Sequence, residues 1–319
     1  MKTIPAPADM IYSFNKEMAD RRGVLKKILM VISGGLGDVV CAGPSVRYAA
    51  EKFEDSEISL LTDYPQLFSH IENIKIVKAA DHNDYFVHHS MTPASHLSWE
   101  FYSPMQMHCV DYASMSFFKM QLPNRYRHIE LPDFEPVNED VKKVLSNPSE
   151  YLIVHAGRGY QSKTFPVAWW DEALDSVKSL KIVLIGKTVE RDLNAIPYPG
   201  GYVETTYQPE IDLRDKIPLE DLVALLKGCK YLLSNDSSPI HIAAAGGAEI
   251  GVLASLKHFD YLKHTKNTVQ LNLTHAEDHM SFQQNQIGKV ELYEMDPDFF
   301  NKILPFPFMI GAHYDSRKI

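Results

Sequence analysis

Cysteine is scarce in this chain: the three present in 319 residues, Cys41, Cys109 and Cys229, are odd in number and far apart. Such spacing fits neither a disulfide framework nor a CxxC metal site, and it makes a reducing cytoplasm the expected setting. An excess of positive charge is missing too. Lys and Arg number 32 against 41 Asp and Glu, a net charge of -9, so there is no global footprint for a polyanion, although a local basic patch stays compatible with it. No apolar run suits a membrane span: the most apolar stretch, Ile240 to Leu256, is glycine-rich and broken by His241 and Glu249, and reads as a buried helix and strand. The first residues, MKTIPAPADMIYSFNKEMADRRG, carry acids and prolines in place of a continuous apolar stretch, which excludes reading them as a secretory signal.

What is present describes an ordinary globular protein, with 45% hydrophobic and 23% charged residues. At this length one hydrophobic core is not enough, and two domains are expected. Residues 1–24 read as an appended arm with helical potential over Ala8–Arg21. After them KKILMVIS predicts a strand buried on both faces, followed by GGLGDVV and the helical spacing of GPSVRYAAEKF. A second strand at EISLLTD, a helix near Tyr64–Glu72, a third strand at IKIVKA and a fourth around Asp84–His88 complete a first alternating block. A helix is expected around Met105–Phe118. Residues 123–150, with four prolines and many acids, read as the connection between domains.

A second block starts at YLIVHA. Helices are predicted over Pro166–Leu180, Val189–Ala195, PLEDLVALLKGC and SPIHIAAAGG, and strands at KIVLIG, Tyr202–Thr205, YLLSND and EIGVLAS, with a last helix at DPDFFNKIL. Alternation of this kind implies parallel sheets with right-handed crossovers. The expected fold class is therefore α/β, with an N-terminal domain over 25–135, a C-terminal domain over 136–290 and a terminal helix and tail over 291–319 that could pack back on the first domain.

Three segments carry the chemistry. In the first, Gly34-Gly35-Leu36-Gly37-Asp38 joins a strand to a helix, where Gly35 and Gly37 let backbone approach a ligand and Asp38 falls in the first helical turn, its charge favoured by the helix dipole. A helix cap explains Asp38 equally well. A dinucleotide fingerprint with Asp63 on a ribose fits poorly, because G-x-G-x-x-G starting at Gly35 would need glycine where the chain has Val40. In the second, a buried strand ends at Asn235-Asp236, and Ser237, Ser238 and Pro239 open a helix whose amides suit a diphosphate, with His241 on the first turn. The third is the polar stretch from His155 to Pro166, in which Arg158 can bind phosphate bidentately and Lys163 can neutralise a leaving diphosphate, though a solvated basic loop explains the segment equally well.

Together the pieces GGLGDVVCAGPSVRYA, HAGRGYQSKTFPVAWWDEAL, VLIGKTVERD and PLEDLVALLKGCKYLLSNDSSPIHIAAA resemble glycosyltransferase family 9, the heptosyltransferase-like enzymes of the GT-B fold, over about Lys26–Ser255. The resemblance implies two Rossmann-like domains facing across a cleft and an inverting, metal-independent transfer from a nucleotide-diphosphate sugar, ADP-heptose-like, that serves as substrate, with no cofactor. It implies Asp38 as general base on the acceptor hydroxyl, Lys163 on phosphate, Asp236, Ser237 and Ser238 on the donor's diphosphate and sugar with His241 one turn on, and Glu190 as the acid holding the ribose. Ser238 departs from the glycine common in that family. A glycan or glycolipid acceptor is implied, reached from the cytoplasm or the membrane surface, while a modified nucleobase or a protein stays open as acceptor. No metal is expected, since Asp296-Pro297-Asp298 reads as a helix cap followed by proline. The other classes weighed are a nicotinamide-dependent oxidoreductase and a non-catalytic sugar-nucleotide-binding module.

Overall fold

A computed structural model of the protein describes residues 27–32, 34–78, 87–91, 108–118, 120–156, 174, 179–186, 208–254 and 268–272, with backbone alone for 87–91, 253–254 and 268–272. The chain forms two compact units, Met1–Pro132 and Asp133–Ile319. In the first, β1 (Lys27–Ile32), β2 (Glu57–Thr62), β3 (Ile74–Val77) and β4 (Val87–Met91) form a parallel sheet in the order β3-β2-β1-β4. Ile28, Leu29, Met30 and Ile32 are buried together with Ile58 and Leu60, as a strand covered on both faces requires. The first helix, α1 (Leu36–Lys52), buries Val39, Val40, Val46 and Ala49 and packs against α2 (Cys109–Phe118), which buries Val110, Ala113 and Phe117.

Past α2 the chain is stapled back onto α1. Arg47 donates to the carbonyls of Tyr126 at 3.0 Å and His128 at 3.3 Å and pairs with Glu130, while the Tyr126 hydroxyl donates to Glu51 at 2.7 Å. Tyr48 meets the rings of Phe118 and Tyr126 edge-on at 5.2 and 5.1 Å.

The second unit holds α3 (Glu139–Ser146), β5 (Tyr151–His155), β6 (Lys181–Leu184), β7 (Ile211–Asp212), α4 (Leu219–Gly228), β8 (Tyr231–Asn235), α5 (Ser238–Ala245), β9 (Glu249–Ala254) and β10 (Thr268–Asn272). Its parallel sheet runs β10-β9-β8-β5-β6-β7. Every residue of β5 is buried, so this strand is the centre of the core. Buried Asp221 on α4 accepts the N–H groups of Val137 at 2.7 Å and Asn138 at 3.0 Å, and the Asn138 side chain in turn caps α3 through Asp140 and Val141.

Four expectations need correction. Residues 123–150 are not a plain connection, because they contain α3, whose Asn138 cap and two buried valines make a helix from a segment read as proline-rich linker. The helix near Tyr64–Glu72 shrinks to a single 3-10 turn over Pro65–Phe68, and the fourth strand lies at Val87–Met91 instead of Asp84–His88. Strands β7 and β10 were not anticipated. Residues 1–24, the helices at 189–195 and in DPDFFNKIL, and the strand at 202–205 lie outside the described residues; of the helix expected over Pro166–Leu180, Leu174 is helical and buried, Ser179 and Leu180 form a bend, and the rest lies outside the described residues. All three cysteines are buried and none forms a disulfide, and burial pushes the Cys229 thiol up to about 12. Among the described residues no helix is long and apolar enough to cross a membrane.

Candidate active site

Each sheet reverses direction at one point. Successive strands run outward from β1 to β2 and β3, then the chain returns to place β4 on β1's other side. The second sheet repeats this around β5, with β6 and β7 on one side and β8, β9 and β10 on the other. At such a switch the loops leaving two neighbouring strands diverge, which opens a crevice at the carboxyl end of a parallel sheet.

In the first unit, β1 feeds that crevice. Gly34 has φ 125°, a conformation that side-chain-bearing residues rarely adopt, and its N–H lies 3.4 Å from Asp63 Oδ2 just past β2. Asp63 is thus drawn to the glycine loop itself. Gly35 caps α1 and Asp38 stands at the third helical position. The two are reciprocally bonded: the Gly35 N–H donates to Asp38 Oδ2 at 3.1 Å and the Asp38 N–H donates to the Gly35 carbonyl at 3.0 Å. Gly37 lies between them, half-buried like Asp38.

At the start of α2, Asp111 pairs with Arg127 and is 2% exposed, and its Oδ1 is buried with no hydrogen-bond partner among the described residues. Burial pushes the Asp111 carboxyl up, against the pull of the Arg127 guanidinium.

In the second unit, β8 ends at Asn235 and the buried Asp236 follows, 6% exposed. Ser237, in extended conformation at φ -156°, is the cap of α5, and its side chain makes no cap bond. Pro239 occupies the first turn, where its missing N–H costs nothing, and α5 has no acid in that turn. Ser237 and Ser238 are half-buried and His241 is buried at 6% exposure. The structure thus gathers Asp236, Ser237, Ser238 and His241 at one strand-to-helix junction, and Gly35, Gly37 and Asp38 at another. Arg158, Lys163 and Glu190 lie outside the described residues.

One pair escaped the sequence reading, which used His155 only to open the polar stretch. His155 ends β5 at 4% exposure, and its Nδ1 lies 3.1 Å from Asn235 Oδ1. The signal available was a polar residue closing each of two aliphatic strands, YLIVH and YLLSN.

Comparison with known proteins comes to the same strands. The family model described as glycosyltransferase family 9 (heptosyltransferase) matches residues 88–288. No curated protein matches. Among solved structures, a family 9 glycosyl transferase from Veillonella parvula aligns with TM-score 0.58 and 16% identity over 82% of this chain and 92% of its own. The iron-containing dodecameric glycosyltransferase TibC from enterotoxigenic E. coli aligns with TM-score 0.52 and 14% identity over 72% of this chain and 59% of its own. The E. coli ADP-heptose lps heptosyltransferase II does so with TM-score 0.51 and 14% identity over 81% and 97%. At these identities the structural likeness speaks for the fold.

Proposed function

Since the chain belongs to glycosyltransferase family 9 and is a glycosyltransferase, we propose that it moves a sugar from a nucleotide-diphosphate donor, ADP-heptose-like, to a hydroxyl of a glycan or glycolipid, with inversion and without a metal ion. In this reading the donor's diphosphate lies at the carboxyl end of the second sheet. The single observation carrying it is the junction at β8 and α5, where a helix start with no acid in its first turn and an uncommitted Ser237 hydroxyl stand at the switch point of the second sheet. The positive dipole end of a helix start favours a diphosphate there.

The step balances as follows. The acceptor oxygen attacks the anomeric carbon as its proton passes to the Asp38 carboxylate, and the bond from that carbon to the phosphate oxygen breaks on the opposite face. The departing nucleotide diphosphate gains negative charge, which Lys163 and the α5 amides stabilise, while Glu190 holds the ribose and Arg158 the phosphates. Asp236 supplies a carboxylate suited to sugar hydroxyls. The E. coli ADP-heptose lps heptosyltransferase II is named for ADP-heptose, and TibC has been solved in complex with ADP-D-beta-D-heptose; the proposal of an ADP-heptose-like donor rests on these two proteins.

Calorimetry of the full chain against ADP-, GDP-, UDP- and CMP-sugars tests the reading. A micromolar Kd for one donor supports it, and binding of none overturns it. Turnover unchanged after exhaustive treatment with a chelator supports the metal-free route; turnover lost to chelation and restored by a divalent ion removes it.

A further inference from the structure

A buried histidine and a buried asparagine side by side are an expensive way to end two core strands. His155 is 4% exposed and Asn235 is wholly buried, at neighbouring positions of β5 and β8, the two strands that flank the switch point. Desolvating both groups gains nothing for stability that a well-packed apolar pair would not match, because replacing both partners of a buried hydrogen bond by apolar groups of similar shape is close to neutral.

The hydrogens have a consistent arrangement. Asn235 Oδ1, 3.1 Å from His155 Nδ1, can only accept, so Nδ1 carries the proton. Ser234 Oγ donates to the Asn235 carbonyl at 2.8 Å, which turns its lone pairs toward the same Nδ1 at 3.4 Å. The imidazole N–H is thereby shared between the Asn235 side chain and the Ser234 hydroxyl, and the Ser234 hydrogen pins the Asn235 peptide. That peptide leads straight into Asp236 and Ser237.

We infer that His155 and Asn235 form a positioning pair, which sets the Asp236-Ser237 turn in the conformation that receives the donor's diphosphate. The inference rests on the donor site proposed above. Neither residue touches the donor in this role; each acts through the peptide that follows Asn235. Binding is tighter because the turn is ordered before the ligand arrives.

The test uses the full chain, calorimetry with ADP, GDP and UDP, and thermal unfolding. Four variants serve: His155→Asn, which keeps an N–H near the Nδ1 position, His155→Leu, Asn235→Leu, and the double His155→Leu/Asn235→Leu. The expected result is that the nucleotide bound by the wild type is bound about tenfold or more weakly by the double variant, at a Tm close to that of the wild type, while His155→Asn stays near wild-type affinity. Should a single leucine variant fail to fold, the double variant, with both polar partners gone, decides. Wild-type affinity in a folded double variant overturns the pair's role while leaving the donor site intact. Weakening that tracks the loss of folded protein in every variant, His155→Asn included, reduces the pair to a structural brace and overturns it as well. A wild type that binds none of the three nucleotides takes down the donor site and the pair together.

Discussion

The two strand-to-helix junctions are built on the same plan and differ in charge. At the first, the helix carries an acid at its third position, and that acid is bonded to the capping N–H of Gly35. At the second, the first turn has no acid and the cap, Ser237, makes no side-chain cap bond. A carboxylate seated on a helix N-terminus already answers the positive dipole end, so the first junction repels a phosphate and suits a proton acceptor. The second leaves that end unanswered within its own helix and suits an anion. In the proposed reaction the first junction would supply the proton acceptor and the second the anion site, with the acid inside the helix at Asp38 in the one and ahead of the cap at Asp236 in the other.

The comparison breaks most readily at Asp38. In Asp38→Asn the amide oxygen can still accept from Gly35 N–H, so the cap and the fold persist while the proposed base is lost. Transfer is expected to fall by about 10²–10⁴-fold with donor affinity unchanged. Turnover assays beside calorimetry check this, and wild-type turnover in the folded variant would strip the first junction of its role. Next in size is a change at Gly246, just after α5, where an added Cβ would lie 1.7 Å from the backbone oxygen of Lys227 on α4. Backbone cannot yield as a side chain tip does, so Gly246→Ala should destabilise the second unit by about 1–3 kcal/mol or more. Denaturant unfolding reads that directly. A neutral outcome would mean that α5 does not hold its place by close approach to α4.

Much of this plan was legible before any coordinates. Aliphatic runs such as KILMVI and YLIVH mark strands because both faces of a parallel sheet are covered, and they ended within a residue or two of the observed positions. The α4 and α5 helices and the Asp236-Ser237-Ser238 start of α5 were visible for a similar reason, as Pro239 and the alanines leave few other conformations. What was hidden depended on partners distant in sequence. Helix α3 is stabilised by Asp221, more than eighty residues on, whose carboxylate takes the N–H groups just ahead of it. The two-residue β7 and the β10 strand are recognisable only beside the strands they join. The His155 and Asn235 pair needs the β5 to β8 register to be seen at all.

A smaller effect sharpens the contrast at the second junction. Ser237→Ala removes a hydroxyl that caps nothing, so the fold should be nearly indifferent, whereas a hydrogen bond to a charged diphosphate is worth about 1.5–3 kcal/mol. Donor Kd is expected to rise roughly ten- to a hundredfold with Tm within a degree or two. A drop in Tm without a change in Kd would return Ser237 to a structural role.

The smallest change separates the two units through their glycines. Gly43 lies inside α1, five residues beyond Asp38, and an added Cβ there would meet nothing within 4 Å among the described residues. Unlike Gly246, it is a glycine that the helix itself does not need, and Gly43→Ala should stabilise the first unit by roughly 0.5–1 kcal/mol through lost backbone freedom in the unfolded chain. If the denaturant midpoint rises and transfer is unchanged, the glycine is tolerated helix interior and the first junction ends at Asp38. If instead the midpoint rises while the acceptor KM climbs, a methyl group has entered space that the acceptor occupies, and the first junction extends two helical turns along α1.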